Sequence, residues 1–451
     1  MSETYDVVIV GGGPAGISAA ILCANNKMKT LLIDKKTEEE IGNKVCGEAI
    51  SKKTVINVSK KLNIEPPKGD EINADISTLV IQTANPEINL SLPSIGYMIN
   101  RHIYGQRLLK EALKRGVLLE SETKVLNPII KDNKVSGVKV KKKDGSIFEF
   151  RSKIVIDCSG TMAVVRTNLP ENFEPLLNKN LSKSDYASCF REIIKLKKPH
   201  KLDGKIVLQY VKDVPEPGYI WFFAVGKKKL NCGTGFVKEG KNEKKSVKKI
   251  YNEAMKKYYH PDSYEILDSR GDVVTVKPPL WNAVAPGLIV AGDAAFHADP
   301  LTAEGHGPAL FAGCFAAEVA IKAAVEQNYS TEDLWEYNIK IMKEFGEENA
   351  RYKILTLVLE KLGAKNLEFL LKRKVIKKSD LSSAGVLKKE NLFSMLMRVV
   401  RSFPKIGLLL LMKKAMDANK KLADLFVEYP SSSENFRKWE NAIENIYNLF
   451  T

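Results

Sequence analysis

The 451-residue sequence contains few cysteines and histidines, and their spacing excludes several kinds of site. Its six cysteines stand apart from one another with no CxxC pair, and it has five histidines. Such a set predicts neither a disulfide framework, nor a zinc site, nor an iron–sulfur cluster. We therefore expect no metal centre.

Long apolar runs are also missing. No uninterrupted apolar stretch approaches the ~20 residues of a membrane-spanning helix. The first strand pattern begins at residue 5, which leaves no room for a signal peptide. Together with the unpaired cysteines, this predicts a cytoplasmic protein. The composition is 44% hydrophobic and 27% charged, which is that of a globular chain with room for two or three structural units.

The first forty residues contain the most informative pattern. Residues 5–10 (YDVVIV) have the β-branched composition of a buried parallel strand. They lead directly into residues 11–16 (GGGPAG), and a small-residue helix pattern follows at 17–24. This order is typical of a dinucleotide-binding unit, whose glycines allow a tight turn, close approach to a pyrophosphate, and close packing of helix on strand.

A second strand pattern at residues 30–33 ends on an acid, Asp34. In a dinucleotide-binding unit a carboxylate at this place accepts hydrogen bonds from ribose hydroxyls. The pyrophosphate would lie at the N-terminus of the preceding helix, where free N–H groups and the helix dipole favour an anion. The strand, turn, helix and acid together predict a nucleotide site.

Two later apolar runs end in similar turns. Residues 154–160 (IVIDCSG) and 287–293 (GLIVAGD) each indicate a buried strand that ends on small or acidic residues. The second leads through residues 305–307 (GHG) into an alanine-rich helix pattern at 308–325. A long cofactor such as FAD has two ends, and an acid after a late strand with a glycine-rich helix start supplies the second binding position.

The remaining patterns complete the predicted fold. Alternation at residues 72–92 and 185–236 predicts antiparallel strands, and helices follow from residue 331. We expect an α/β protein, α+β overall, with a Rossmann-type FAD-binding domain, an antiparallel-sheet substrate domain and a C-terminal helical region. The expected boundaries are 1–70, 97–165 and 270–328 for the FAD-binding domain, 71–96 and 166–269 for the β-rich domain, and 329–451 for the helical region.

Several separated motifs match one family pattern. Residues 11–16 with Asp34, Arg101, residues 157–160 and Gly292-Asp293 together resemble the FAD-dependent para-hydroxybenzoate hydroxylase superfamily, over residues 5 to about 325. Within it, the sequence is similar to the geranylgeranyl reductase family. The motifs that carry this closer resemblance are residues 44–47 (KVCG), the spacing of Tyr219, Trp221 and Phe223, and residues 233–235 (GTG).

The resemblance implies non-covalently bound FAD and specific residues around it. The pyrophosphate would lie on the glycine turn, the adenosine ribose on Asp34, and the ribityl chain beside Arg101 and Asp293. The implied cofactor-binding residues are Gly11, Gly13, Ala15, Gly16, Asp34, Lys35, Cys46, Gly47, Arg101, Val125, Asp293, Gly305, His306 and Gly307. The implied substrate-binding residues are Tyr219, Trp221, Phe223, Gly233 and Gly235.

The implied reaction saturates C=C bonds of geranylgeranyl chains on archaeal-type glycerophospholipids. An isolated alkene has no carbonyl to polarise, so its reduction needs a hydride at one carbon and a proton at the other. Flavin supplies the hydride, and a positioned donor supplies the proton. Cys46 and His306 are the candidate catalytic residues, with a bound water as a further donor and a packing role for Cys46 as the simpler interpretation. His297 is expected to be structural.

Charge points to the partners of the protein. The net charge is +16, and residues 365–421 hold fifteen Lys or Arg against four acids. Apolar and basic residues alternate in the segment 392–414, which is the composition of a helix lying in a membrane interface. We therefore expect peripheral binding to an anionic surface at the inner face of the cell membrane and no nucleic-acid partner. The electron donor is either NAD(P)H or reduced ferredoxin, which the basic surface would suit.

Two other functions fit parts of the same pattern. An FAD monooxygenase acting on an aromatic ring would use a similar fold and pocket. A non-redox prenyl-binding carrier would need the apolar pocket but no flavin-dependent reduction. Both are retained as alternatives to the reductase.

Overall fold

The computed structural model describes residues 4–173, 176–376, 402 and 404–450. Within these residues the chain forms two eight-stranded sheets and a C-terminal group of helices. The expected fold class is confirmed. The edge of the first sheet at which its parallel strands end faces the second sheet. The cleft between the two sheets is lined by most of the candidate site residues.

The first sheet has the parallel core of a dinucleotide-binding fold. Four pairs of adjacent strands are parallel, and a β-hairpin pairs with the third strand in the spatial order. In that order the strands are β15 (Val284–Ala285), β16 (Leu288–Val290), β9 (Ile147–Asp157), β1 (Thr4–Val10), β2 (Thr30–Ile33) and β6 (Leu118–Glu120), with the hairpin of β7 (Thr123–Lys131) and β8 (Lys134–Lys142) on β9. The helices that cover it include α1 (Pro14–Asn25), α3 (Arg101–Lys114) and α6 (His306–Glu326).

The register of these strands brings the predicted motifs together. Val10 is paired with Ile33 on one side and with Asp157 on the other, and Asp157 is paired with Val290. Since parallel strands end at the same edge, the glycine turn, Asp34 and the turn after β16 meet there. This is the edge at which open parallel sheets bind ligands.

The second sheet is antiparallel except for one parallel pair, β11 with β4. Its strands, in spatial order, are β14 (Tyr264–Thr275), β10 (Tyr186–Leu196), β13 (Lys229–Val237), β12 (Gly218–Ala224), β11 (Lys205–Gln209), β4 (Ile72–Gln82), β5 (Asn89–Ile99) and β3 (Ala49–Ser51). One face packs against α5 (Val247–Met255), with Phe222 and Cys232 in that core. The opposite face carries Trp221 and Phe223.

The strands differ from the expected pattern in three places. The strand expected from residue 154 begins earlier, because β9 runs from Ile147 to Asp157 and pairs with both β1 and β8. Strand β14 crosses the expected domain boundary at residue 269. The short β3 joins the second sheet, although residue 50 falls within the segment expected to bind FAD.

Two further helices lie between strands in the sequence, and five more follow α6 in the described residues. They are α2 (Lys52–Leu62), α4 (Val164–Thr167), α7 (Thr331–Leu334), α8 (Glu336–Ile341), α9 (Glu347–Lys372), α10 (Ile406–Val427) and α11 (Phe436–Tyr447). Helix α9 is kinked at Gly363, whose φ is 68°. Among the described helices, α6 is long and apolar enough to cross a membrane, but most of it is buried inside the fold.

Candidate functional site

The glycine turn after β1 has the close contacts that its sequence predicts. Gly11 has φ +103°, and a Cβ there would lie 2.4 Å from the carbonyl oxygen of Cys158. A Cβ on Gly16 would lie 1.9 Å from the Gly11 oxygen, so α1 packs directly on the turn. Gly13 has nothing within 4 Å of its Cβ position. The turn is therefore tightly packed on the protein side, and at Gly13 it leaves space for a pyrophosphate to approach the backbone.

Asp34 holds this turn in place. Its Oδ2 accepts a hydrogen bond from Gly12 N at 2.6 Å, and its Oδ1 accepts one from Lys36 N at 2.8 Å. Each carboxylate oxygen can accept a further bond. Asp34 thus shapes the loop and still has acceptor capacity towards the cleft, where Lys35 also lies.

The other end of the site contains three charged residues. Lys44 Nζ lies 2.5 Å from Asp293 Oδ2. Burial opposes the charged form of each, but their pairing outweighs it, so the pKa of Asp293 is lowered and that of Lys44 is raised. Arg101, which begins α3, is 8% exposed and forms no ion pair with the described residues. A buried guanidinium of this kind needs an anionic partner.

Helix α6 begins beside these charges. Gly305 is its N-cap, and Gly307 N donates to Glu304 Oε1 at 2.8 Å. His306 is buried, and burial together with the charges of Arg101 and Lys44 lowers its pKa well below the usual value. The imidazole is therefore neutral at ordinary pH. A neutral imidazole is a weak proton donor, which weakens the expected catalytic role of His306.

Cys46 lies in a loop that is hydrogen-bonded to the second sheet. Its Sγ accepts a hydrogen bond from Glu48 N at 3.2 Å, and its carbonyl oxygen accepts one from Asn231 Nδ2 at 2.9 Å. The Oδ1 of Asn231 in turn accepts from Trp221 Nε1 at 3.0 Å. Glu48 has φ +70°, a strained value for a residue with a side chain. The cysteine and the aromatic strand are thereby held as one unit.

The alternation of β12 directs one row of aromatic rings at the cleft. Tyr219 and Trp221 have ring centroids 6.3 Å apart, and so do Trp221 and Phe223. The Tyr219 hydroxyl donates to the carbonyl oxygen of Thr302, in the loop before α6. A Cβ on Gly233 would lie 2.2 Å from Trp221, so this glycine makes space for the indole. The row is an apolar wall with fixed rings.

Most of the predicted residues line a single cleft of about 940 Å³. Its size is at the upper end of the range for ligand pockets. The predicted residues that line it are Gly11, Gly13, Ala15, Asp34, Lys35, Cys46, Gly47, Arg101, Tyr219, Trp221, Phe223, Gly235, Asp293, Gly305 and His306. Gly16, Gly233 and Gly307 lie behind this lining, and Val125 is 5% exposed within the core of the first sheet.

The sequence analysis missed several polar residues of the cleft. Lys44 was noted only as part of a motif, and nothing singled out Asn231, Glu48 or Glu304. Asn231 is buried in β13, where a strand pattern predicts a packing residue. Its role depends on a partner 185 positions away in the sequence, a pairing that no local pattern indicates.

His297 is buried and structural, as expected. Its Nδ1 accepts a hydrogen bond from Gly292 N at 3.1 Å, and its ring packs against Phe345. Burial lowers its pKa to about 3, so it stays neutral in the folded protein. It therefore fixes the turn after β16 without a charge of its own.

The cleft fits FAD in its donor and acceptor groups. The open Gly13 and the N-terminus of α1 suit a pyrophosphate, and Asp34 suits a ribose. Arg101 supplies a buried positive charge without an ion-pair partner among the described residues. No group of three or more metal-binding side chains occurs in the described part of the chain.

Comparison with known proteins agrees with this geometry. Residues 6–167 match the model of the FAD dependent oxidoreductase family. The chain is 30% identical over 452 aligned residues to a digeranylgeranylglycerophospholipid reductase of Sulfolobus acidocaldarius, covering 99% of this chain and 98% of that one. It is 28% identical to digeranylgeranylglycerophospholipid reductase 1 of Methanococcoides burtonii, covering 82% and 87%.

The fold also matches a solved structure. A geranylgeranyl bacteriochlorophyll reductase-like protein of Thermoplasma acidophilum superposes with a TM-score of 0.75 at 24% identity, covering 92% of this chain and 100% of that one. The structural match supports the fold, and the near full-length match to the Sulfolobus protein establishes the family. The chain belongs to the digeranylgeranylglycerophospholipid reductase family of FAD-dependent oxidoreductases.

Proposed function

We propose that this protein is an FAD-dependent reductase that saturates C=C bonds in the geranylgeranyl chains of an archaeal-type membrane glycerophospholipid. The observation that carries the proposal is one cleft with two kinds of lining. A dinucleotide turn with Asp34, Arg101 and Asp293 forms one part. An aromatic wall fastened to Cys46 forms the other. The names of the family members support the same substrate.

Specific residues would hold each part of FAD. The turn from Gly11 to Gly16 would bind the pyrophosphate, and Asp34 the adenosine ribose. Arg101 would neutralise phosphate charge, while Asp293, held by Lys44, would accept from the ribityl hydroxyls. The flavin ring, when reduced, supplies the hydride. The chain's own contribution is to bind, orient and exclude water.

The apolar wall would hold the prenyl chain. Tyr219, Trp221 and Phe223 offer flat apolar surface without an unpaired buried polar group, because the Tyr219 hydroxyl and the Trp221 N–H are both bonded. Cys46 is the proposed proton donor to the alkene carbon. The Glu48 N–H that donates to Sγ would stabilise the sulfur after the proton leaves.

Binding to a membrane would bring the enzyme to its insoluble substrate. Residues 392–401 and 403 of the proposed segment lie outside the described residues. In α10, Ile406 and Leu410 are 42% and 63% exposed, and Lys413 and Lys414 follow them. Lys405 instead bonds to Asn366 on α9. An exposed apolar face next to lysines suits an anionic interface at the inner side of the cell membrane.

The proposal keeps the three-part domain division. NAD(P)H or reduced ferredoxin would supply the electrons. The segment 365–421 contains fifteen Lys or Arg, a composition suited to an acidic ferredoxin. The sequence has no second GxGxxG turn for a nicotinamide nucleotide, so NAD(P)H would bind transiently.

The decisive test is anaerobic. The protein is loaded with FAD, reduced, and mixed without oxygen with a digeranylgeranyl glycerophospholipid. The expected result is return of the oxidised flavin spectrum together with saturated product. Flavin that stays reduced under these conditions and is reoxidised only with oxygen and an aromatic compound would favour the hydroxylase. Lipid binding without flavin oxidation under either condition would favour the carrier.

A further inference from the structure

One acidic residue of the cleft has no part in the function proposed above. Glu304 lies in the loop before α6 and lines the cleft. Its backbone oxygen accepts from Asp299 N at 2.8 Å, which closes the loop. Its side-chain Oε1 accepts from Gly307 N at 2.8 Å. The carboxyl group is therefore held at the first turn of α6 and faces the cleft.

This carboxyl group competes with any anion that binds at the same helix end. The first N–H groups of a helix have no partners within the helix, and they attract negative charge. Glu304 already uses the N–H of Gly307. A second negative charge arriving at this turn would share the donor and repel the carboxylate. Protonation of the carboxylate would remove that repulsion.

The charges around Glu304 make both of its protonation states accessible. Enclosure by the cleft raises its pKa to about 7, although the Gly307 N–H and Arg101 on α3 oppose the rise, and Asp299 adds to it. His306, the next titratable group on α6, is neutral because its pKa is far below the usual value. Lys44 and Asp293 compensate each other as an ion pair. Burial also raises the pKa of Asp299, but that carboxylate accepts hydrogen bonds from Leu301 N, Thr302 N and the Thr302 hydroxyl, which oppose the rise. Glu304, with a pKa of about 7, can change its proton number near neutral pH.

We propose that Glu304 takes up a proton when the cofactor in this cleft gains electrons and releases it when the cofactor gives up its hydride. This inference rests on the proposed FAD site. A hydride from NAD(P)H, or two electrons and a proton from ferredoxin and solvent, adds one negative charge to the ring system. A solvent proton then forms the O–H bond on Glu304, so the net charge in the cleft stays constant. Oxidation by the alkene reverses the step, and the proton becomes available within the cleft.

The test measures proton uptake rather than turnover. FAD-loaded protein is reduced electrochemically in weakly buffered solution with a pH indicator, for the parent and for Glu304→Gln. At about pH 8 the parent should take up more protons per FAD than the variant, by up to about one. At about pH 5 the difference should vanish, because Glu304 is then protonated before reduction.

Two further variants control this result. Glu326→Gln makes the same change at the exposed far end of α6 and should behave as the parent does. Glu304→Asp keeps an ionisable group and should retain the extra uptake. Equal uptake by the parent and Glu304→Gln at both pH values would overturn the proposal. If the parent binds no FAD, the proposed function itself has failed, and that outcome is visible before any reduction.

A spectroscopic measurement decides the matter if Glu304→Gln does not retain FAD. The reduced-minus-oxidised infrared spectrum of the parent at about pH 8 should show a new carboxylic acid C=O band. In Glu304→Asp this band should shift, since the acid that gains the proton has changed. A band that is absent from the parent, or that does not shift in Glu304→Asp, assigns the proton to another group.

Discussion

At the scale of single residues, the site depends on polar side chains that connect distant segments. Asn231 accepts from Trp221 and donates to the carbonyl oxygen of Cys46, so one amide positions both the apolar wall and the thiol. Each of these bonds contributes roughly 0.5–1.5 kcal/mol net, and an unpaired partner costs more than that. The geometry of the cysteine loop is therefore set by the second sheet.

The proposed role of Cys46 leads to a specific expectation for Cys46→Ala. The variant should keep its FAD, because the cofactor is held by other residues, but it should reduce prenyl lipid ~10²-fold more slowly. Single-turnover oxidation of the reduced flavin by lipid measures this step. Cys232→Ala, on the opposite face of the same sheet, should keep the parent rate. An unchanged rate in Cys46→Ala would leave the cysteine with a packing role.

The residues that sequence could predict are those whose function is local. Gly11, Gly13 and Asp34 lie within one strand–turn–helix–strand unit, so spacing alone places them relative to one another. Asn231 acts through a partner 185 positions away, a pairing that no local pattern encodes. The hydrogen bonds of Glu304 are local, but its place in the lining of the cleft depends on how separate segments come together, which its loop sequence does not indicate.

At the scale of elements, glycine sets how closely the helices approach. A Cβ on Gly313 of α6 would lie 2.0 Å from the backbone oxygen of Ala15 on α1. The two helices therefore touch at their backbones, and the start of α1, which would face the pyrophosphate, is supported from behind. The alanine-rich pattern of residues 308–325 predicted the helix but not this contact.

Gly313→Ala should consequently destabilise the protein. The added methyl group forces α6 away from α1, at a cost of about 1–3 kcal/mol in the free energy of unfolding, and FAD affinity should fall as well. Urea unfolding monitored by circular dichroism provides the measurement. The matched change Gly407→Ala on α10, where nothing lies within 4 Å of the Cβ position, should leave stability unchanged or raise it by up to about 1 kcal/mol. Equal losses in both variants would contradict this account.

Strand patterns were most informative where the strand is buried. Strands β1 and β2 are largely apolar and buried, and they fall within a residue of the predicted bounds. Strand β14 is mostly exposed at the edge of its sheet, and a register shift opposite Ile193 and Ile194 interrupts its alternation. An edge strand of this composition is defined by its partner β10 and not by its own sequence.

At the scale of the whole molecule, the proposed binding of α10 to a membrane would bring the cleft to an insoluble substrate. Lys413→Glu combined with Lys414→Glu should weaken binding to anionic vesicles, since each basic residue near such a surface contributes about 1 kcal/mol. Co-sedimentation at low and high salt measures the effect. FAD content should not change.

The control for this experiment is a pair of exposed lysines away from α10. Lys198→Glu with Lys201→Glu alters the net charge by the same amount, in the loop after β10. This pair should sediment with vesicles as the parent does. If both pairs lose binding equally, the effect is one of overall charge. If neither does, α10 is only a packing element.

The hydrogen bonds through Asn231 that connect the Cys46 loop to β12 have a consequence for how a substrate with repeated double bonds is processed. With Cys46 as the proposed proton donor, the reaction point would be stationary in the fold, whereas a prenyl chain carries the same double bond again and again along its length. Successive reductions would then require the chain to slip by one isoprene unit at a time over the rings of Tyr219, Trp221 and Phe223. The ratio between slipping and escape then sets how many bonds become saturated before release. Partly hydrogenated lipids sampled early in the reaction would record that competition directly.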